Sequence, residues 1–189
     1  MHKELSEMSL EELWVLFPII LTEHKDEWTQ WYRDEEENLR KILGDIEVIR
    51  ISHIGSTAIR GICAKPTVDI LIEVKNKYDI IEVREILQNS GYVCMSEEES
   101  KITLNKGYTK YGFADRVFHI HLRLSGNHDE LYFRDYLNDN FQVAKEYETL
   151  KLMLWKQYEH DRDGYTKAKT EFVKQYTNQA KILYADRYK

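Results

Sequence analysis

Two apolar, β-branched segments, at 46–54 and 67–74, enclose a polar loop that begins with Gly55 and Ser56. Segments of this composition that end at turn residues predict buried strands. A Gly-Ser pair directly after a strand exposes backbone N–H groups and a hydroxyl, and such a turn can cradle phosphate oxygens. Asp69, on the second strand, is placed to hold a cation against those phosphates. The segment therefore predicts a ligand loop between two strands of a sheet.

The rest of the chain predicts helices around this sheet. Helical patterns lie at 9–16, at 25–43 before Gly44, and at 78–88. Further extended segments lie at 92–95, 102–106 and 117–124. From Asp129 onward proline is absent and apolar residues recur at helical spacing, which predicts three helices. Mixed strands and helices followed by a helical run predict an α+β fold with about five strands and a helical C-terminal third.

The composition predicts an ordinary globular protein. Acidic residues number 33 and basic residues 27, so the formal charge is −6. This charge argues against non-specific nucleic-acid binding, which requires many Lys and Arg to displace phosphate counterions, but it leaves room for a local basic cleft. The two cysteines form no CxxC motif, which favours a reducing compartment. No segment approaches the ~20 apolar residues of a membrane span, and no signal-peptide pattern opens the chain.

We therefore expect a cytoplasmic protein with no membrane segment. The expected organisation is a helical arm at 1–22 followed by one domain at 23–189. The sequence leaves the oligomeric state and the contacts of the arm open.

Several blocks of sequence resemble one family. His-Ile-Gly-Ser-Thr-Ala at 53–58, followed by Ala-Lys-Pro at 64–66 and Asp-Ile-Leu-Ile at 69–72, resembles the signature of the GrpB family. Phe118–Leu122 resembles its histidine strand, and Phe133–Leu137 resembles the start of its C-terminal helices. The match runs from about Trp28 to Phe172. It implies a nucleotidyltransferase-like fold whose ligand is a nucleotide or a phosphorylated small molecule.

The resemblance also implies which residues bind phosphate. The candidates are Gly55, Ser56, Thr57, Lys65 and Arg134. Lys65 lies in a loop, where a solvated side chain is the alternative role. Arg134 has Asp135 beside it on a predicted helix, so a structural ion pair is the alternative to a substrate clamp.

The superfamily pattern has two acids that alternate on the second strand, and this chain has one. Asp69 matches the first acid, but Leu71 occupies the second position. Glu73 lies ~13 Å along the strand from Asp69, against ~6.6 Å for an alternating pair. Two-metal phosphoryl transfer requires carboxylates shared between two ions. One carboxylate therefore argues against that mechanism.

His119 and His121 alternate on one predicted strand, so both rings can face the same cleft. Together with Asp69 they are candidate catalytic residues and candidate ligands of a single divalent metal, Mg²⁺, Mn²⁺ or Zn²⁺. Two imidazoles and a carboxylate suit Zn²⁺ or another transition metal better than Mg²⁺. The alternatives are that the histidines contact phosphate or act as general bases.

Three functions fit these residues. The first is a nucleotide- or phosphate-ester-binding enzyme of the nucleotidyltransferase superfamily. The second is a non-catalytic module that binds a nucleotide or metabolite, which Leu71 favours. The third is a metal-dependent phosphoesterase, which the His-x-His strand favours. The sequence does not choose among them.

Overall fold

A five-stranded mixed β-sheet forms the centre of the computed structural model, which describes residues 3–185 and 187–188. The strands are β1 (Val48–Ile54), β2 (Val68–Val74), β3 (Val93–Glu98), β4 (Lys101–Thr109) and β5 (Gly112–Leu124). Their order across the sheet is β1-β2-β5-β4-β3. The β2–β5 pair is parallel, and the other three pairs are antiparallel. The predicted α+β fold with about five strands is confirmed.

Two helices, α2 (Glu27–Leu43) and α3 (Lys77–Asn89), cover one face of the sheet. Val68, Ile70, Ile72 and Val74 of β2 are fully buried in the same core as Leu39 and Val83 of these helices. Because side chains alternate along a strand, the intervening β2 residues face the opposite side of the sheet. That opposite face carries Asp69 and the two histidines.

The C-terminal region forms four helices in the described part of the chain, where the sequence predicted three. They are α4 (Asp129–Asp139), α5 (Phe141–Tyr158), α6 (Arg162–Ala168) and α7 (Thr170–Leu183). Asn140 leaves the helical conformation, with φ −126° and ψ 79°, and separates α4 from α5. Only one residue interrupts the helix. The buried residues Leu137 and Ala144 on either side of it are seven positions apart, as in an unbroken helix, so the apolar pattern does not reveal the break.

The loop between β1 and β2 packs onto these C-terminal helices. Ile59 and Ile62 of the loop lie in one buried cluster with Phe133, Leu137 and Tyr147. Burying two loop isoleucines contributes roughly 3–6 kcal/mol of hydrophobic stabilisation. The loop that carries Gly55 and Ser56 is therefore held against both the sheet and the helices.

The N-terminal arm, described from residue 3, lies against the same region. It contains α1 (Leu10–Leu16), which Ser9 opens with a capping box. Phe17 packs its ring 4.8 Å from that of Tyr108, and Ile19 is buried with Tyr165. Thr22 pairs with Ala64 in a short antiparallel bridge. Of the expected domain at 23–189, residues 186 and 189 lie outside the described residues. None of the described helices is both long enough and apolar enough to cross a bilayer.

Candidate functional site

The structure brings Asp69, His119 and His121 together at the centre of the sheet. In the parallel pair, Asp69 is registered with His119, and His121 lies two residues further along β5. His119 Nδ1 is 3.3 Å and His121 Nε2 is 3.1 Å from Asp69 Oδ1. The two-residue alternation of β5 predicted that His119 and His121 share a face, and the parallel register of β2 adds Asp69 to that face.

Asp69 is ionised and His119 is neutral in this arrangement. Burial opposes the charge on Asp69, but hydrogen bonds from His119 and His121 outweigh it and hold the pKa of the carboxyl below its ordinary value. Burial lowers the pKa of His119, although the nearby Asp69 carboxylate opposes this effect. The centre of the site is thus a single negative charge that accepts hydrogen bonds from two imidazoles.

Two arginines that the sequence analysis did not select fix the proton positions on these imidazoles. Arg162 Nη2 donates to the Tyr108 hydroxyl oxygen over 2.8 Å, and that hydroxyl lies 2.8 Å from His119 Nε2. Arg123 Nη2 donates to His121 Nδ1 over 3.1 Å. Because a guanidinium is only a donor, we assign the His121 proton to Nε2, and the tyrosine proton directs the His119 proton to Nδ1. Both protonated nitrogens face Asp69.

Of the residues hydrogen-bonded around the two histidines, the sequence could have identified one, Arg123, but not Tyr108 or Arg162. Arg123 alternates with His119 and His121 on β5, so the same period-two argument could have identified it. Tyr108 comes from the β4 end and Arg162 from α6, and no local pattern relates either residue to Asp69.

The donor set does not fit a three-ligand metal centre. A metal-bound imidazole ordinarily donates its other N–H to an acceptor. His121 instead accepts from Arg123 at Nδ1, so it presents an N–H rather than a lone pair at Nε2. Within residues 3–185 and 187–188, no group of three or more His, Cys, Asp or Glu residues could hold a metal ion. Metal binding by Asp69, His119 and His121 stays a prediction that this hydrogen bond opposes.

Arg123→Gln is expected to raise the affinity of this site for zinc. A glutamine carbonyl can accept from His121 Nδ1–H, which frees the Nε2 lone pair for the metal. We expect at least a tenfold gain in Zn²⁺ affinity by calorimetry on metal-stripped protein, with circular dichroism to check the fold of the variant.

Arg123→Lys is the matched control, because ammonium is also only a donor and the gain should be absent. His121→Ala in the Arg123→Gln background should remove the gain. Tight Zn²⁺ binding by the native chain that Asp69→Ala abolishes would contradict this interpretation and restore the three-ligand centre.

The Gly55 turn lies directly against the Asp69 carboxylate. Ile54, the last residue of β1, pairs with Asp69 of β2, so the turn starts beside Asp69 at Gly55. Gly55 has φ +70°, and a Cβ there would overlap Asp69 Oδ2 and lie 2.8 Å from its Cγ. Ser56 begins a single 3₁₀ turn that ends at Ala58. Glycine is therefore required both for the backbone conformation and for the close approach.

Thr57 and Arg134 make structural contacts around this turn. The Thr57 hydroxyl donates to the Thr67 carbonyl over 3.2 Å and lies 2.9 Å from His53 Nε2. Arg134 donates to the His53 carbonyl over 2.8 Å and pairs with Asp135. Thr57 joins the two ends of the loop. Arg134 makes the ion pair with Asp135 that the sequence offered as its structural role, and phosphate binding by Arg134 stays a prediction.

Neither neighbour of Asp69 on β2 supplies a second acid to the site. Leu71 is fully buried in an apolar cluster with Ile54 and Leu131. Glu73 is buried and pairs with Arg50 at 2.7 Å and His128 at 2.9 Å. The carboxylate of Glu73 is thus committed to a structural ion pair away from Asp69.

This sheet, with its Gly-Ser turn and its central aspartate, belongs to the nucleotidyltransferase-like class of folds. The MgGTP-bound crystal structure of the Cid1 poly(U) polymerase is similar to it, with a TM-score of 0.51 over 72% of this chain and 44% of that chain. Sequence identity is 13%, so the likeness shows the fold alone.

The chain belongs to the GrpB family, because the family model described as GrpB protein matches residues 18–179. The crystal structure of the conserved protein GrpB from Enterococcus faecalis has a TM-score of 0.75 and 27% identity, over 87% of this chain and 99% of that one. The glutamate-rich protein GrpB of Alkalihalophilus pseudofirmus is 34% identical over 85% of this chain and 95% of its own length. The UPF0157 protein YqkA of Bacillus subtilis is 33% identical over 84% of this chain, which spans 46% of that relative.

Proposed function

We propose that the chain binds a phosphorylated small molecule of the nucleotide class beside Gly55, Ser56 and Asp69. The main support for the proposal is the close contact between Gly55, which has no side chain, and the ionised carboxylate of Asp69. Hydrogen bonds from His119 and His121 hold that carboxylate in place. Both histidines contact Oδ1. In the described part of the chain Oδ2 has no side-chain hydrogen-bond partner, and it faces the turn, where it can accept from a ligand hydroxyl.

The fold supports the choice of ligand class. The similar crystal structures of the Cid1 poly(U) polymerase have MgGTP or MgATP bound to that polymerase. The Gly-Ser turn of this chain offers backbone donors of the type that hold phosphate oxygens. The proposal stops at binding, because Leu71 is buried and Glu73 is committed to Arg50, so Asp69 has no second acid for two-metal transfer.

Calorimetric titration with ATP, GTP, CTP and UTP, each with and without Mg²⁺, tests this proposal. Asp69→Asn should lower the affinity for the preferred nucleotide at least tenfold, because the amide removes the charge and half of the acceptor capacity. Asp45→Asn changes an exposed aspartate in the turn before β1 and should leave the affinity unchanged. No heat from any nucleotide, or equal affinity of the native and Asp69→Asn proteins, would refute the proposal.

A further inference from the structure

Three basic side chains, Lys65, Arg162 and Lys169, lie close enough next to this site for their charges to interact. Lys169 Nζ lies 4.4 Å and Lys65 Nζ 6.0 Å from the centre of the Tyr165 ring. Arg162 opens α6 and lines the same cleft as Lys65, together with Thr67. These residues come from the β1–β2 loop, from α6 and from the start of α7, so tertiary folding alone brings them together.

This cluster is not neutralised by the protein. Across residues 3–185 and 187–188, none of the three basic side chains forms an ion pair with a carboxylate, whereas Arg50 and Arg123 each pair with a glutamate. Asp115 also lines the cleft, but its side chain is exposed and unpaired with them. The overall charge of the chain is −6, so an excess of basic residues does not explain the cluster.

The cluster costs the folded protein free energy. Burial, together with the charges of Arg162 and Lys169, lowers the pKa of Lys65 to about 7 against the opposing effect of Asp69. Burial and the charge of Lys169 likewise lower the pKa of Lys151, which donates to the Cys63 carbonyl. Partly buried like charges that lack a partner destabilise a protein, and a bound anion would relieve this repulsion.

We propose that Lys65, Arg162 and Lys169 form the binding site for the phosphate group of a phosphate monoester. The assignment of that group to a nucleotide-class ligand rests on the proposed function, but the anion site itself does not. A phosphate monoester carries −1.5 to −2 charges near pH 7, which matches three convergent cations. Arg162 can offer paired N–H donors to phosphate oxygens, and the two lysines act as point charges.

The position of the anion site defines how a ligand would lie. Arg162 contacts Tyr108, Tyr108 contacts His119, and His119 contacts Asp69, each through a side-chain hydrogen bond or ion pair. A phosphate on Arg162 therefore lies at one end of this chain of contacts, and Asp69 lies at the other. A nucleotide-class ligand would place its terminal phosphate towards α6, an inner phosphate towards the Gly-Ser turn and a hydroxyl towards Asp69 Oδ2.

Thermal unfolding and calorimetry with inorganic phosphate, at constant ionic strength set by chloride, test the anion site. Phosphate should raise the melting temperature of the native protein by several degrees. Lys65→Met should lower phosphate affinity at least tenfold, yet should raise or preserve the melting temperature without phosphate, because it removes a buried, repelled charge. A structural lysine would instead lower that melting temperature when replaced.

Lys169→Met serves as a second variant with the same expected loss of phosphate affinity, and Lys174→Met, at an exposed position of α7, should behave like the native chain. The proposal is overturned if phosphate has no effect on the native protein, if both variants keep the native affinity, or if Lys174→Met loses as much. Phosphate binding that Lys65→Met removes, without nucleotide binding, would support this site and refute the proposed function. Nucleotide binding that Asp69→Asn removes and Lys65→Met does not would refute this site alone.

Discussion

Gly55→Ala is expected to destabilise the protein by about 2–5 kcal/mol and to abolish ligand binding. The positive φ of +70° costs a residue with a Cβ about 1–2 kcal/mol. The added methyl group would also overlap the Asp69 carboxylate, and overpacking of this kind costs about 1–3 kcal/mol. Relief of the overlap requires Asp69 to move away from His119 and His121. Urea unfolding measures the stability, and nucleotide calorimetry measures the binding.

Gly44→Ala separates the two contributions. Gly44 follows α2 with φ +57°, and nothing lies within 4 Å of the position that its Cβ would occupy. The Gly44→Ala variant should therefore lose only the cost of the positive φ, about 1–2 kcal/mol of stability, and should keep its ligand affinity. Equal losses of stability in the two variants would mean that the contact between Gly55 and Asp69 is not close in solution.

The free energy of unfolding is expected to fall by about 3 kcal/mol on account of His53 as the pH is lowered from 7 to 4. Burial lowers the pKa of His53 to about 4; Asp69 opposes this shift and Arg134 adds to it. The unfolded chain takes up the proton near pH 6.5, whereas the folded ring, stacked on Tyr32 at 4.9 Å, does so only near pH 4. The stability is therefore fully present above pH 6.5 and is lost as the pH falls through this window.

Urea unfolding at a series of pH values measures this loss. His53→Gln should lose less stability between pH 7 and pH 4 than the native chain, because glutamine does not titrate. His160→Gln replaces an exposed histidine and should keep the native pH dependence. If the His53→Gln and native curves were parallel, the acid sensitivity would have to come from other groups.

The sequence predicted the strands of the sheet and part of the candidate site. Apolar, β-branched composition predicted β1 and β2, and alternation along β5 placed His119 and His121 on one face. The parallel register of β2 and β5, which brings Asp69 beside them, came from the structure. The expected GrpB family and nucleotidyltransferase-like fold were confirmed. The sequence also identified Leu71 at the position of the missing acid, and the structure buries that side chain completely.

Residues that act across elements were not predictable in this way. Arg134 donates to the His53 carbonyl and the Thr57 hydroxyl donates to the Thr67 carbonyl, contacts that the sequence pattern does not show. Phosphate binding by these two residues stays a prediction. The prediction of three C-terminal helices was wrong, since the described residues form four. The break at Asn140 is a single residue, and the helical spacing of apolar residues continues on both sides of it.

The sequence by itself determined which residues share a strand face, because that property depends only on the two-residue repeat of an extended chain. The tertiary structure alone decided which side chains surround that face. Tyr108 reaches His119 from the end of β4, and Arg162 and Lys169 reach Lys65 from the C-terminal helices. Such contacts depend on how elements that are distant in sequence pack together. The local spacing of residues in the sequence does not show which charged side chains from other elements will lie nearby. The proton positions on the histidines, and the unpaired cations beside them, are therefore properties of the folded protein.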